Sequence, residues 1–160
     1  MLIIGAGGIG LRHIKGYTQT GRARLSVVEP DDKKSTDMAQ KFALVNKYQR
    51  IDEVDLKSFD LAVICAPAHT HLPLMTKCIA ADLPFMVEKP LSVSMEGVHV
   101  VLEKVRAKNL LARVGFTRRV ADELQQLRRD IQAKKIGDLK LIYMNSSQEF
   151  PKYRPDFQST

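Results

Sequence analysis

Gly5-Ala6-Gly7-Gly8-Ile9-Gly10 sets three glycines at the spacing G-x-G-x-x-G. The bare pattern also occurs in ordinary turns, so its surroundings decide its meaning. Here it follows the apolar run Met1–Ile4 directly and opens a helical pattern over Ile9–Thr20. Glu29 stands 19 residues after Gly10, at the end of the next apolar run. Each position answers a separate physical need. Gly5 permits a tight turn, Gly7 lets a pyrophosphate reach the backbone, and Gly10 allows a helix to pack closely on a strand. The first turn of the helix then offers free N–H groups and partial positive charge to the phosphates. Glu29 can accept hydrogen bonds from both hydroxyls of an adenosine ribose and would repel a 2′-phosphate. No arginine follows it directly, which favours NAD over NADP, with Lys33 and Lys34 as the opposing signal. The competing explanation is a glycine turn in an α/β domain that binds nothing.

Two further clusters carry chemistry-bearing side chains. Cys65-Ala66-Pro67-Ala68-His69-Thr70-His71 follows the apolar run Asp60–Ala66. Either histidine could simply cap the next helix, and a metal is disfavoured because no third ligand stands nearby. Glu88-Lys89-Pro90 follows the run Pro84–Val87. Proline restricts Lys89 to extended backbone and suits a tight turn, with a cis bond as one way to make it. A lysine aimed into a crevice can hold a carboxamide or a substrate hydroxyl, and burial would tune it for proton transfer. The alternative is a surface Glu-Lys pair that ends a strand.

The elements that must position these residues alternate along the chain. Strand patterns at Met1–Ile4, Arg24–Glu29, Leu44–Asn46, Asp60–Ala66, Pro84–Val87 and Leu110–Phe116 are separated by helical patterns. Pro73 falls in the first turn of one helix, and Ser94 is expected to cap the helix that carries Val98, Val101, Leu102 and Val105. Such alternation predicts an α/β fold: a Rossmann-type doubly wound, mostly parallel sheet with helices on both faces. After Phe116 the pattern changes. Val120, Leu124, Leu127 and Ile131 mark one stripe of a long helix ended by Gly137, and Asp138–Phe150 reads as one long strand without later strands to pair with. The expected organisation is a dinucleotide-binding domain over 1–117 and the first helix and strand of an incomplete α+β domain over 118–160.

Composition narrows the function classes. The chain has 160 residues, 44% of them hydrophobic and 27% charged, with a net charge of +7. That is an ordinary globular composition for about one domain. The basic excess is not gathered into a patch interleaved with aromatics, and there is no Trp, which argues against a nucleic-acid partner. No apolar run reaches the ~18 residues of a membrane span. The two cysteines, Cys65 and Cys78, sit in apolar runs, as expected of reduced thiols in a cytoplasmic protein.

Taken together, GAGGIG, CAPAHTH, VEKPLS and VGFTRRV, in that order and at those distances, resemble the glucose–fructose oxidoreductase / inositol dehydrogenase (Gfo/Idh/MocA) family. The segment IGDLKLIYMNSS is similar to that family's crossing into its second domain. The resemblance implies a nicotinamide-dependent dehydrogenase or reductase acting on a sugar, cyclic polyol or related small molecule, and a homo-oligomer in the full-length form. It implies that Gly5, Gly7, Gly8, Ile9 and Gly10 carry the pyrophosphate and Glu29 the adenosine ribose. Ala66, Pro67 and His71 would line the nicotinamide side, with Glu88 near its ribose. Lys89 would stand beside the reacting carbon as the catalytic residue, and Arg119 would face cofactor or substrate. Thr117 stands where the family usually has Asn. Family members run to roughly twice this length, and the Asp and His that usually complete the catalytic set lie in the part beyond these residues. Residues 1–160 alone are therefore expected to turn over little or nothing. A non-catalytic dinucleotide sensor or regulatory module is the alternative.

Overall fold

A computed structural model describes residues 1–147, which fall into two compact units, Met1–Phe116 and a second beginning at Thr117. The first unit is a six-stranded, wholly parallel sheet. Its strands are β1 (Leu2–Ile4), β2 (Ser26–Val28), β3 (Lys47–Tyr48), β4 (Ala62–Ile64), β5 (Phe85–Val87) and β6 (Ala112–Val114), in the order β3-β2-β1-β4-β5-β6. The helices between them are α1 (Gly8–Thr20), α2 (Asp32–Phe42), α3 (His71–Ala80) and α4 (Val98–Ala107). This is the doubly wound fold that the alternation predicts, and the strand order reverses beside β1.

Strand periodicity sorts the core onto two faces. Ile3, Val27 and Val63 point to one face, where Ile14 of α1 and Met38 and Phe42 of α2 close over them. Leu2, Ile4, Val28, Ala62, Ile64, Phe85 and Val87 point to the other, against Met75, Cys78 and Ile79 of α3 and Val101 of α4. Central strands buried on both sides must be apolar throughout, so these runs are legible as strands. Both cysteine thiols are buried and unpaired, and burial pushes each up to about 12.

Three local expectations are corrected. The edge strand β3 lies at Lys47–Tyr48 rather than Leu44–Asn46. An edge strand is held from one side only, and its register follows main-chain bonds to β2, including Val27 N–H to Asn46 O, more than its apolar pattern. Ser94 does not cap α4. Gly97 does so in left-handed backbone (φ 73°), and Leu102 stays 40% exposed while Val98 and Val101 are buried.

The third concerns the second unit. It begins with a short 3-10 turn, Thr117–Val120, and continues as α5 (Asp122–Gln132). The helix ends well before Gly137, and no side chain from 117 to 147 is buried. Residues 138–147 join no sheet, because no described strand of this unit is available to pair with them. The rest of the strand expected over Asp138–Phe150 lies outside the described residues. No described helix is long and apolar enough to cross a membrane.

Candidate functional site

The carboxyl ends of β1, β2, β4 and β5 lie along one edge of the sheet, at the place where parallel α/β folds hold ligands. The glycine loop leaves β1 there, and its glycines divide the work. Gly5 has φ +92°, and a Cβ on it would stand 2.8 Å from the Ala66 nitrogen. Gly10 is tighter: a Cβ there would stand 2.0 Å from the Gly5 carbonyl oxygen. These two let the loop turn and let α1 sit directly on it. Gly7 and Gly8 face open space, with nothing within 4 Å of an added Cβ.

The loop and α1 suit a pyrophosphate. Gly7 caps the helix with no side-chain hydrogen bond, and no acid occupies the first turn. The N–H groups of that turn have no intrahelical acceptor, and no carboxylate competes with an incoming anion for them. Ile9 is exposed beside them. The bare faces of Gly7 and Gly8 leave room for the phosphates at the backbone.

Glu29 ends β2 facing this loop. Its carboxylate accepts from the Ala6 N–H at 2.8 Å and from the Asp31 N–H at 3.1 Å. One side chain therefore joins the glycine loop to the start of α2. Asp31 caps α2 by accepting from the Lys34 N–H, and the Lys34 ammonium lies 3.3 Å from the same carboxylate. That hydrogen bond, chiefly, holds the Asp31 carboxyl below its ordinary value. The turn after β2 thus carries three acids, of which Asp31 pairs with Lys34 and Asp32 with Lys47.

After β4, Ala66 is half-buried and Pro67 exposed. His71 caps nothing: it is buried in the first turn of α3, 1% exposed. Its Nδ1 lies 2.8 Å from the Pro90 carbonyl oxygen and its Nε2 lies 2.9 Å from the Ala66 carbonyl oxygen. A neutral imidazole donates from one of these nitrogens, and the tautomer decides which carbonyl receives that hydrogen bond. The ring spans the loops that follow β4 and β5 and fixes their separation. His71→Ala would leave a carbonyl without its donor and a void between the two loops. It is expected to cost about 2–4 kcal/mol, read as a lower urea midpoint at unchanged slope. An unaltered midpoint would mean that the ring does not hold the two loops together.

After β5, Glu88 is buried (6% exposed) while Lys89 is exposed. The Lys89–Pro90 bond is cis. The Glu88 carboxylate is engaged on both oxygens, by the His13 ring nitrogen at 2.8 Å and by the Lys89 N–H at 3.2 Å. Among the described residues the Lys89 ammonium makes no ion pair, and no group of three His, Cys, Asp or Glu is placed to hold a metal. Arg119 lies in the Thr117–Val120 turn of the second unit, where the neighbouring Arg118 donates to the Ser146 hydroxyl at 2.9 Å. His13 and Gly115, which meet Glu88 from α1 and from the end of β6, have no part in any spacing rule. Their one sequence signal is position: His13 stands three residues past Gly10 on the same helix face.

A parallel sheet in this order, a glycine turn with its helix, and an acid at the end of β2 define a Rossmann-type dinucleotide-binding domain. Residues 1–116 match the profile of the oxidoreductase family with an NAD-binding Rossmann fold, GFO_IDH_MocA, and the chain belongs to that family. Over 144 residues it is 28% identical to an inositol 2-dehydrogenase of Corynebacterium glutamicum, a match covering 88% of this chain and 43% of that protein. Over 151 residues it is 26% identical to the rhizopine catabolism protein MocA of Rhizobium meliloti, covering 93% and 47%. The fold is shared with scyllo-inositol dehydrogenase from Lactobacillus casei, solved with NAD(H) and scyllo-inositol bound. The TM-score there is 0.79 at 19% identity, over 86% of this chain and 42% of that one. The chain thus spans less than half the length of these relatives.

Proposed function

We propose that this chain is the cofactor-binding part of an NAD-dependent oxidoreductase that moves hydride to or from a carbon bearing a hydroxyl or carbonyl in a cyclic polyol or sugar. The observation that carries it is the Glu29 carboxylate, seated on the Ala6 N–H between the open faces of Gly7 and Gly8 and the acidic turn after β2. Such a carboxylate suits a ribose diol and opposes a 2′-phosphate, so NAD is preferred to NADP. Gly5, Gly7, Gly8, Ile9 and Gly10 hold the pyrophosphate through the backbone. Ala66 and Pro67 border the nicotinamide, and His71 fixes the two loops that flank it.

The nicotinamide, when bound, supplies or accepts the hydride. Lys89 stands exposed at the carboxyl edge and holds the substrate oxygen: as the neutral amine it takes the hydroxyl proton in the oxidising direction, and as the ammonium it returns that proton to the oxygen in the reducing direction. Glu88 is spent on His13 and on the Lys89 N–H and shapes the turn. We assign the residues from Thr117 onward to the start of the domain that would supply the remaining substrate contacts and a subunit interface. The polyol class rests on the names of the relatives.

Titration with NADH and NADPH tests the cofactor assignment. NADH should bind more tightly, and Glu29→Ala should weaken it about 10- to 100-fold, the worth of one or two hydrogen bonds to a charged group. The NADPH affinity should fall less. An unchanged ratio of the two affinities would remove Glu29 from the ribose.

A further inference from the structure

The Glu88 carboxylate is enclosed by three separate elements. His13 of α1 reaches it 75 residues away in sequence, at 2.8 Å from Nε2 to Oε1. The Lys89 N–H reaches the other oxygen from the turn that follows β5. From β6 comes Gly115, whose missing side chain makes room: a Cβ there would stand 3.1 Å from one carboxylate oxygen and 3.3 Å from the other. Both contacting groups are shielded, with side-chain exposures of 17% for His13 and 8% for Glu88. The His13 ring is steadied further by stacking on Tyr17, with centroids 6.1 Å apart. The nearby Cys65 thiol is pushed up by burial first and by the Glu88 charge second, so it stays a neutral neighbour.

These contacts form one mechanical path. α1 begins at the phosphate-binding glycines, and from its second turn the His13 ring reaches Glu88. From the phosphate end, the path runs through His13 to the Glu88 carboxylate, then to the backbone of Lys89.

We propose that His13 is a positioning residue for Lys89: through the Glu88 carboxylate it ties the helix that receives the pyrophosphate to the turn that carries the lysine. The proposal rests on the dinucleotide assignment above for its functional meaning, but the tie itself exists without ligand. Nε2 of His13 donates to one carboxylate oxygen, which leaves the other for the Lys89 N–H. A side chain without a donor at position 13 frees the carboxylate to rotate, and the Lys89 N–H then loses its acceptor. Glutamine places an amide N–H near the Nε2 position and preserves the bond.

The first comparison uses the 160-residue chain without cofactor. Amide hydrogen exchange at Lys89 should run about tenfold faster in His13→Leu than in the parent, the loss of one net hydrogen bond, and His13→Gln should restore the parent rate. An unchanged rate in His13→Leu, or no restoration in His13→Gln, overturns the proposal. Should His13→Leu not fold, Gly115→Ala presses on the same carboxylate from β6 and leaves His13 intact. It should also accelerate Lys89 exchange, and no acceleration overturns the tie.

The second comparison adds saturating NADH and follows acetylation of the Lys89 amine. NADH should protect Lys89 in the parent and in His13→Gln, and protect it several-fold less in His13→Leu. Equal protection in all three, with NADH bound, overturns the positioning role. A parent chain that binds no NADH refutes the dinucleotide assignment instead, while the exchange rates still decide the tie.

Discussion

Gly10→Ala is expected to cost at or above the top of the about 1–3 kcal/mol range for overpacking, and to abolish measurable NADH binding. The new Cβ would meet the Gly5 carbonyl oxygen at 2.0 Å and the Gly5 carbonyl carbon at 3.0 Å. Both are backbone atoms, so no rotamer change relieves the clash. α1 must lift from the loop, and the lift pulls on the Gly5 N–H bond to Val28 O and the Ala6 N–H bond to Glu29. In a domain whose whole stability is about 5–15 kcal/mol, the thermal midpoint should fall on the order of 10 °C. Gly7→Ala is the control. Its Cβ enters open space, so stability should stay within about 0.5 kcal/mol, while NADH should weaken if the phosphates approach that face as proposed. A Gly10→Ala chain that melts and binds like the parent would show that helix and loop separate without cost.

Lys89→Ala should have the largest effect on turnover. It is measured in a protein where this domain is joined to a complete second domain, with myo-inositol and NAD as the probe reaction. The expected loss is about 10²- to 10⁴-fold in kcat, the usual worth of a positioned proton donor or acceptor. NADH affinity should move little, since the proposed phosphate and adenosine contacts come from the glycine loop and Glu29. A kcat within about tenfold of the parent would assign the proton to another group. The two variants are expected to separate the halves of the proposed site: Gly10→Ala should remove binding and fold together, whereas Lys89→Ala should leave both and remove chemistry.

Much of this was written locally in the chain, and the reason is physical. Strands buried on both faces must be continuously apolar, so Leu2–Ile4, Ala62–Ile64 and Phe85–Val87 announce themselves. The glycine spacing and Glu29 follow from local geometry. Edge strand β3 does not, because one row of main-chain bonds to β2 fixes its register. Nor does the cap of α4, where a serine with the right chemistry lost to a glycine whose backbone could turn left-handed. The contacts around Glu88 were invisible for another reason. His13, Glu88 and Gly115 come from three elements spread across the sheet, and no periodicity links positions 75 residues apart. His71, for which a helix cap was one alternative and the nicotinamide side the expectation from the resemblance, lies buried between two loops, beside the Ala66 and Pro90 carbonyls.

The sheet order also governs how the chain acquires its fold during synthesis. β1 emerges first yet ends at the centre, with Leu2 paired to Ser26 on one side and to Ala62 on the other. At about 5–20 residues per second, the ribosome takes several seconds between delivering Ile4 and delivering the strand that covers its second edge. For that interval an apolar, unsatisfied strand stands open on a nascent polypeptide. Non-local parallel pairing of this kind is slow to close. Shielding Leu2–Ile4 during that interval favours folding over aggregation.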